Sequence, residues 1–188
     1  VATDVPIEVA RIIDEETRSL PGVEVTVEDR RQYDYGPLVS QLLGYTGAVS
    51  GADLARLADS GYLNDDVIGR AGVEATYEDE LRGDYGLTQV ELDGSGRVLR
   101  TVQVTQAPVA GHSLEMSIDL EIQRDAETAL RWALDLIGLE RGVVVVMNPQ
   151  TGEILAMVSL PTYDNNLFSG GISNADFKAL LEDPDKPL

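Results

Sequence analysis

Five successive apolar residues, Val143-Val144-Val145-Val146-Met147, show no alternation with polar ones, so a strand built from them calls for cover on both faces. Asn148-Pro149-Gln150-Thr151-Gly152 is turn chemistry, and Ile154–Val158 returns as a second strand. The element just upstream is the longest helix of the chain. Asp119 suits an N-cap, and Ile122, Ala126, Ala129, Ala133 and Ile137 recur at three and four residues until Gly138. A chain of 188 residues buries about two thirds of its unfolded surface or more, enough for a core without staples, in one domain or two small ones.

Towards the N-terminus the elements are shorter. Asp4 and Pro6 predict a helix start, and Ile7, Ala10, Ile13 and Leu20 a stripe that ends at Pro21-Gly22. Val23, Val25 and Val27 alternate with Glu24, Thr26 and Glu28, the pattern of a half-buried strand. Short helices are predicted over Pro37–Leu43, ending at Gly44, and over Gly51–Asp59, closed by Gly61. A further one spans Gly72–Leu81 between Gly72 and Gly83, with Val73, Tyr77 and Leu81 on one face and Arg70 within one turn of Glu74. Strands follow over Leu87–Leu92, a turn at Asp93-Gly94-Ser95-Gly96, then Arg97–Gln106 and Leu114–Ile118. Past the hairpin come turn residues, the flexible run Ser169-Gly170-Gly171 and a short helix over Asn174–Leu181.

The charge narrows function. With 33 acidic against 14 basic residues the net charge is −19, which repels phosphate backbones and anionic headgroups and argues against nucleic acid and electrostatic membrane docking. No cysteine is present, which excludes disulfides, thiolate metal sites and cysteine nucleophiles. No apolar run approaches the roughly 20 residues of a membrane span. The start at Val1 and the end at Asp183-Pro184-Asp185-Lys186-Pro187-Leu188 read as cuts in a longer protein.

Catalytic chemistry is hard to place. None of the serines has a lysine three residues on, and no Gly-x-Ser-x-Gly elbow occurs. His112 reads as a surface histidine with no carboxylate placed behind it. The acids at Asp14-Glu15-Glu16, Asp65-Asp66 and Glu78-Asp79-Glu80 lack the spaced ligand series of a calcium loop and read as solvated helix faces. Gly69-Arg70-Ala71-Gly72 is too short for a dinucleotide loop, and Trp132 and the tyrosines show no stacking pattern. Neither a metal nor a cofactor is implied.

Three stretches together carry a resemblance. The run from Gly69 to Gly83, GRAGVEATYEDELRG, resembles the signature of the N-terminal dimerisation domain of class B penicillin-binding proteins. Leu114–Gln123 is similar to that family's junction into the transpeptidase domain. Gly142–Ser159, continued by Pro161-Thr162-Tyr163-Asp164-Asn165-Asn166, resembles the first hairpin of that domain. Pro21-Gly22-Val23, Arg31-Gln32-Tyr33-Asp34-Tyr35-Gly36 and Leu42-Leu43-Gly44-Tyr45 are similar to elongation-type members, although a proline is usual where Asp34 stands.

The resemblance implies an α+β fold: a strand-rich pedestal over 1–117, with a helical head over about 1–66 and an anchor over about 67–117, then residues 118–188 as the first helix and β-hairpin of a transpeptidase domain. The signature residues it marks are Gly69, Arg70, Gly72, Glu74, Tyr77, Leu81 and Gly83, with Arg31, Tyr33 and Gly36, all architectural or partner-facing. The family's Ser-x-x-Lys, Ser-x-Asn and Lys-Thr-Gly motifs are missing, so no catalytic residue transfers to this chain. For the longer protein it implies D,D-transpeptidation of peptidoglycan stem peptides and β-lactam acylation on the extracytoplasmic face of the bacterial membrane. The implied partners are a membrane glycosyltransferase and other elongation proteins, with a homodimer also open, and membrane attachment only through an anchor outside this chain. Two other readings stay open: a stand-alone interaction module, and an enzyme with a dispersed acid/Ser site. A lone Val143–Val158 hairpin is further expected to leave an unpaired edge and an apolar face that a second copy or the 162–188 tail would cover.

Overall fold

A computed structural model describes residues 2, 5–16, 20, 22, 23, 25–27, 29–94, 98–184, 187 and 188, in two compact units, 1–30 and 31–188. In the first, α1 (Ile7–Glu15) begins after Pro6, whose carbonyl accepts from the Val9 and Ala10 amides at 2.9 Å. It ends at Glu16, short of Leu20, and buries none of its residues. The predicted Val23–Val27 strand is absent among the described residues, and Val27 is 94% exposed. A strand needs a neighbour to pair with, and no described residue of this unit supplies one. Asp4, Pro21, Glu24 and Glu28, on which those expectations partly rested, lie outside the described residues.

The second unit opens with a 3₁₀ turn, Gly36–Val39, running into α2 (Ser40–Leu43), then β1 (Thr46–Ala48) and α3 (Gly51–Arg56). Ser50 and Asp53 cap α3 reciprocally, each side chain taking the other's backbone N–H. A 3₁₀ turn at Ala58–Ser60 closes at Gly61, and β2 (Val67–Gly69) returns to pair antiparallel with β1. The expected helix over 72–81 is two turns, α4 (Gly72–Thr76) and α5 (Glu78–Leu81), broken at Tyr77. β3 (Leu87–Leu92) and β4 (Val98–Gln106) form a ribbon; Ser95, Gly96 and Arg97 of its turn lie outside the described residues. Leu114–Ile118 is extended chain without a ladder. The Ser117 hydroxyl, donating to the Ile154 carbonyl at 2.8 Å, tethers it sideways before Asp119.

The core lies under α6 (Leu120–Ile137), which packs on the antiparallel hairpin of β5 (Gly142–Met147) and β6 (Ile154–Leu160). Asp119 caps α6 by accepting from the Glu121 and Ile122 amides, and Gly138 ends it in the left-handed region. Ala126 and Leu134 meet Ala156, Val158 and Leu160, with Ile122, Leu130, Val144 and Val146 around them. The buried stripe is displaced from the predicted one: a period of 3.6 from Ala126 leads to Leu130 and Leu134, which leaves Ala129 and Ile137 exposed. β5 is covered on one face only. Val144 and Val146 face α6, whereas Val143, Val145 and Met147 are 65%, 52% and 54% exposed, so the described residues of the 162–188 tail do not supply the expected cover. A 3₁₀ turn, Asn165–Phe168, and α7 (Asn174–Glu182), capped by Ser173, complete the α+β unit.

One buried residue on α6 is polar. Gln123 is 1% exposed and sits on the apolar stripe. Its Nε2 donates to the carbonyls of Leu38 at 3.0 Å and Met157 at 2.9 Å, and its Oε1 accepts from the Met157 amide at 2.8 Å. Gln123→Ala strands those backbone groups, so a loss of about 2–4 kcal/mol in urea unfolding is expected. Trp132→Ala, at a position 68% exposed, is expected to change stability by less than about 0.5 kcal/mol.

Candidate functional site: a joint built on Glu74 and buried amides

α4 buries one residue, and it is charged: Glu74 is 6% exposed. Arg31 grips it with a two-pronged fork, Nη2 to Oε2 and Nε to Oε1, both at 2.8 Å. The expected pairing of Glu74 with Arg70 does not form. Ala71 is extended, so Arg70 still belongs to the end of β2 and its side chain turns back over β1, where Nη2 reaches Asp53 Oδ2 at 2.8 Å. That guanidinium, followed by Ser50, holds the Asp53 carboxyl well below the usual carboxylate range. Tyr33 is buried, and burial first, then the Glu74 charge, pushes its phenol up to about 12.

Two glycines set how closely these segments meet. A Cβ on Gly69 would lie 2.1 Å from the Glu74 carbonyl oxygen. One on Gly72, whose φ is +60°, would lie 2.5 Å from the Leu42 carbonyl. The close approach lets Glu78 accept from both the Gly69 amide and the Tyr62 hydroxyl at 2.8 Å. Arg31, Tyr33, Gly69, Gly72 and Glu74 therefore converge on one joint, while Gly36 lies at the start of the 36–39 turn beside Asp164 and Asn166. Leu81 and Gly83 face residues 109–111 instead. The expected face of Val73, Tyr77 and Leu81 is not a buried one, since the break falls at Tyr77 and leaves it 47% exposed.

The joint extends through side-chain amides. Asn166 exchanges two bonds with the Tyr33 backbone, accepting from its N–H at 2.9 Å and donating to its carbonyl at 3.0 Å, as a neighbouring strand would. Asn165, fully buried, donates to the Gly44 carbonyl at 3.0 Å, and the Tyr163 hydroxyl donates to that of Ser40 at 3.2 Å. Tyr45 stacks on Phe168 at 3.8 Å between ring centroids, and both meet Tyr163 edge-on, a ring cluster that no pattern in the sequence marks. From the sequence, Gln123 and Asp53 carry no role and Glu78 reads only as part of a solvated acid run, whereas in the structure Glu78 is tied to Gly69 and Tyr62. Gln123 left a signal, a polar residue on an apolar stripe; the asparagines left only their place in a family-like motif.

For chemistry the arrangement offers little. His112 does have a carboxylate beside it, Nδ1 lying 2.9 Å from Glu80 Oε2, because the His112 amide bonds the Glu80 carbonyl and brings the side chains together. Both are open to solvent. Among the described residues no cluster of His, Asp or Glu is placed to hold a metal. A groove of about 500 Å³ between α4 and the hairpin contains Ser159, with no lysine or histidine in its lining.

A family model described as "Penicillin-binding Protein dimerisation domain" matches residues 1–116, and one described as "Penicillin binding protein transpeptidase domain" matches 142–183. The chain is 40% identical over 186 residues to peptidoglycan D,D-transpeptidase MrdA of Escherichia coli K12, covering 97% of this chain and 28% of that protein. The Haemophilus influenzae protein of the same name is 40% identical over 172 residues, 89% of this chain and 25% of that one. The solved complex between penicillin-binding protein PBP2 and MreC from Helicobacter pylori superimposes with a TM-score of 0.75 at 28% identity, over 97% of this chain and 33% of that one. A peptidoglycan synthase complex that coordinates polymerization and crosslinking gives 0.76 at 33%, over 98% and 33%. The chain thus spans between a quarter and a third of the length of these relatives.

A double-mutant cycle between Arg31→Ala and Glu74→Ala is expected to return a coupling of about 1–3 kcal/mol, above the ~0.2–1 of exposed pairs. Asp53 makes a separate prediction for pH. An unfolded aspartate titrates near about pH 3.9 and the folded one lower, so its bonds stabilise the fold above that pH and are lost as pH falls. Asp53→Asn should lower the urea midpoint at neutral pH and flatten its fall below about pH 4.

Proposed function

The chain belongs to the penicillin-binding proteins, matching the dimerisation-domain model over most of its length, and from that premise we propose that it is the non-catalytic pedestal of a peptidoglycan D,D-transpeptidase together with the start of the catalytic domain. Residues 1–117 form the pedestal, with a head over about 1–66 and an anchor over about 67–117, and 118–188 begin the transpeptidase domain. The pedestal positions the catalytic domain on the extracytoplasmic side of the membrane and contacts cell-wall proteins, among them a membrane glycosyltransferase. Relatives solved with MreC and as a peptidoglycan synthase complex support such partners.

The joint is the observation that carries this reading. Backbone groups of segment 33–44 are bonded to residues 123, 163, 165 and 166, and Gln123 in turn bonds Met157 of β6, so a load on the pedestal reaches the hairpin without passing through a flexible linker. The signature residues act within it: Glu74, Arg31 and Tyr33 as its charged and aromatic centre, Gly69 and Gly72 as its close contacts, and Arg70 through Asp53. Gly36 turns the chain into segment 36–44, while Tyr77, Leu81 and Gly83 lead from the joint to the β3–β4 ribbon.

No Ser-x-x-Lys occurs in the sequence, and none of its serines is a candidate acylation site. A fluorescent penicillin is expected to leave this chain unlabelled after denaturing electrophoresis and to label a longer version that includes a Ser-x-x-Lys motif. Covalent labelling of the 188-residue chain would overturn the non-catalytic assignment.

A further inference from the structure

Every residue of β3 and of β4 is exposed. Their pairing nevertheless sorts the side chains by polarity. Leu92 opposite Val98, Val90 opposite Thr101 and Thr88 opposite Val104 alternate with Glu91 opposite Arg100, Gln89 opposite Gln103 and Leu87 opposite Gln106. One face is therefore aliphatic and threonine-lined. The other is mostly polar and carries an ion pair, Arg100 Nε to Glu91 Oε2 at 2.6 Å. On the first face Val90, Leu92, Val98 and Val104 are 38%, 53%, 62% and 58% exposed. This is on the order of 400 Å² of bare apolar surface, the size at which a patch marks an interaction site.

The two edges of the ribbon differ. All three register shifts place the extra residue on β4, at Leu99, Val102 and Thr105, while the six residues of β3 run without one. Bulges twist and blunt an edge, so β3 is the edge fit for pairing. Among the described residues no third strand occupies it.

We propose that the β3 edge receives an extended strand of a partner protein, with aliphatic side chains at alternate positions and basic or neutral residues between them. A second copy of this chain is a poor occupant: each carries −19, and the patch is about half of the roughly 800 Å² per partner that a stable interface buries. A paired strand adds main-chain bonds to that modest area and selects its partner through alternate side chains. The occupant deepens the partner-binding part of the reading above and rests on it.

The probe is a fluorophore-labelled, acetylated six-residue peptide of alternating valine and lysine, followed by anisotropy in about 0.15 M salt, where long-range charge attraction is screened. Two controls carry the same charge: alternating serine and lysine, and the valine–lysine peptide with an N-methylated backbone that cannot pair. Binding of the first peptide at least about tenfold tighter than either control, with amide-exchange protection gained at Leu87–Leu92, supports the proposal. The double variant Val90→Lys and Leu92→Lys should lose about tenfold in affinity, with an unchanged urea midpoint because both side chains are exposed. Equal binding of all three peptides, or protection gained on β4 instead, overturns it. Pairing with the probe supports the edge even where no cell-wall protein binds the chain, which separates this outcome from failure of the pedestal reading.

Discussion

A buried backbone group without a partner costs about 1–3 kcal/mol, and much of the second unit is arranged so that side-chain amides prevent that cost. Gln123 satisfies both hydrogen-bonding groups of Met157 and the carbonyl of Leu38, Asn166 serves both groups of Tyr33, and Asn165 serves Gly44. Each amide does what another strand would do, at a place where segment 33–44 has no strand beside it. Four such bonds, at three points along twelve residues, fix that segment far more tightly than apolar contact, which tolerates sliding. The stacked rings of Tyr45 and Phe168 then fill the space between the fixed points.

Glu74 completes the joint at its other side. A carboxylate this buried is stable only when charge and hydrogen bonds both meet it, and the Arg31 fork supplies both. Such a pair adds less stability than its distances suggest, because both groups give up water. What it adds is position: the pair forms only when α4 lies against residue 31 closely enough to give Glu74 a cation at 2.8 Å. Gly69 and Gly72 serve the same end by removing the side chains that would hold α4 away from β2 and α2. The residues that the resemblance marks at this joint, Arg31, Tyr33, Gly69, Gly72 and Glu74, each have a structural reason for being there.

Much of the element order was legible. The α6 helix with its Asp119 cap and Gly138 stop, the turn at 148–152, the short helices near 40, 52 and 178, and the β3–β4 ribbon all follow from periodicity and turn chemistry. Three misreadings share one cause, that periodicity names a face without naming what meets it. Val23–Val27 alternates yet its described residues form no strand, Val143–Met147 does not alternate yet is covered on one side only, and Ala129 has the right spacing yet faces solvent. The joint was partly legible. Arg31, Tyr33 and Glu74 came from a resemblance, but their partners depend on contacts between residues 43 to 133 positions apart, which no local pattern encodes. Arg70 shows the limit most plainly, since one extended residue, Ala71, redirects it from Glu74 to Asp53.

The central claim is that segment 33–44 and the α6–hairpin core open as one unit. Native-state hydrogen exchange tests this directly at the Tyr33 amide, bonded to Asn166, and the Met157 amide, bonded to Gln123, with the buried amides of α6 as reference. The account predicts that Tyr33 and Met157 exchange with the same opening free energy and the same denaturant dependence as the α6 core. Rapid exchange at Tyr33 while Met157 and α6 stay protected would mean that the segment leaves by itself, and would contradict a rigid joint.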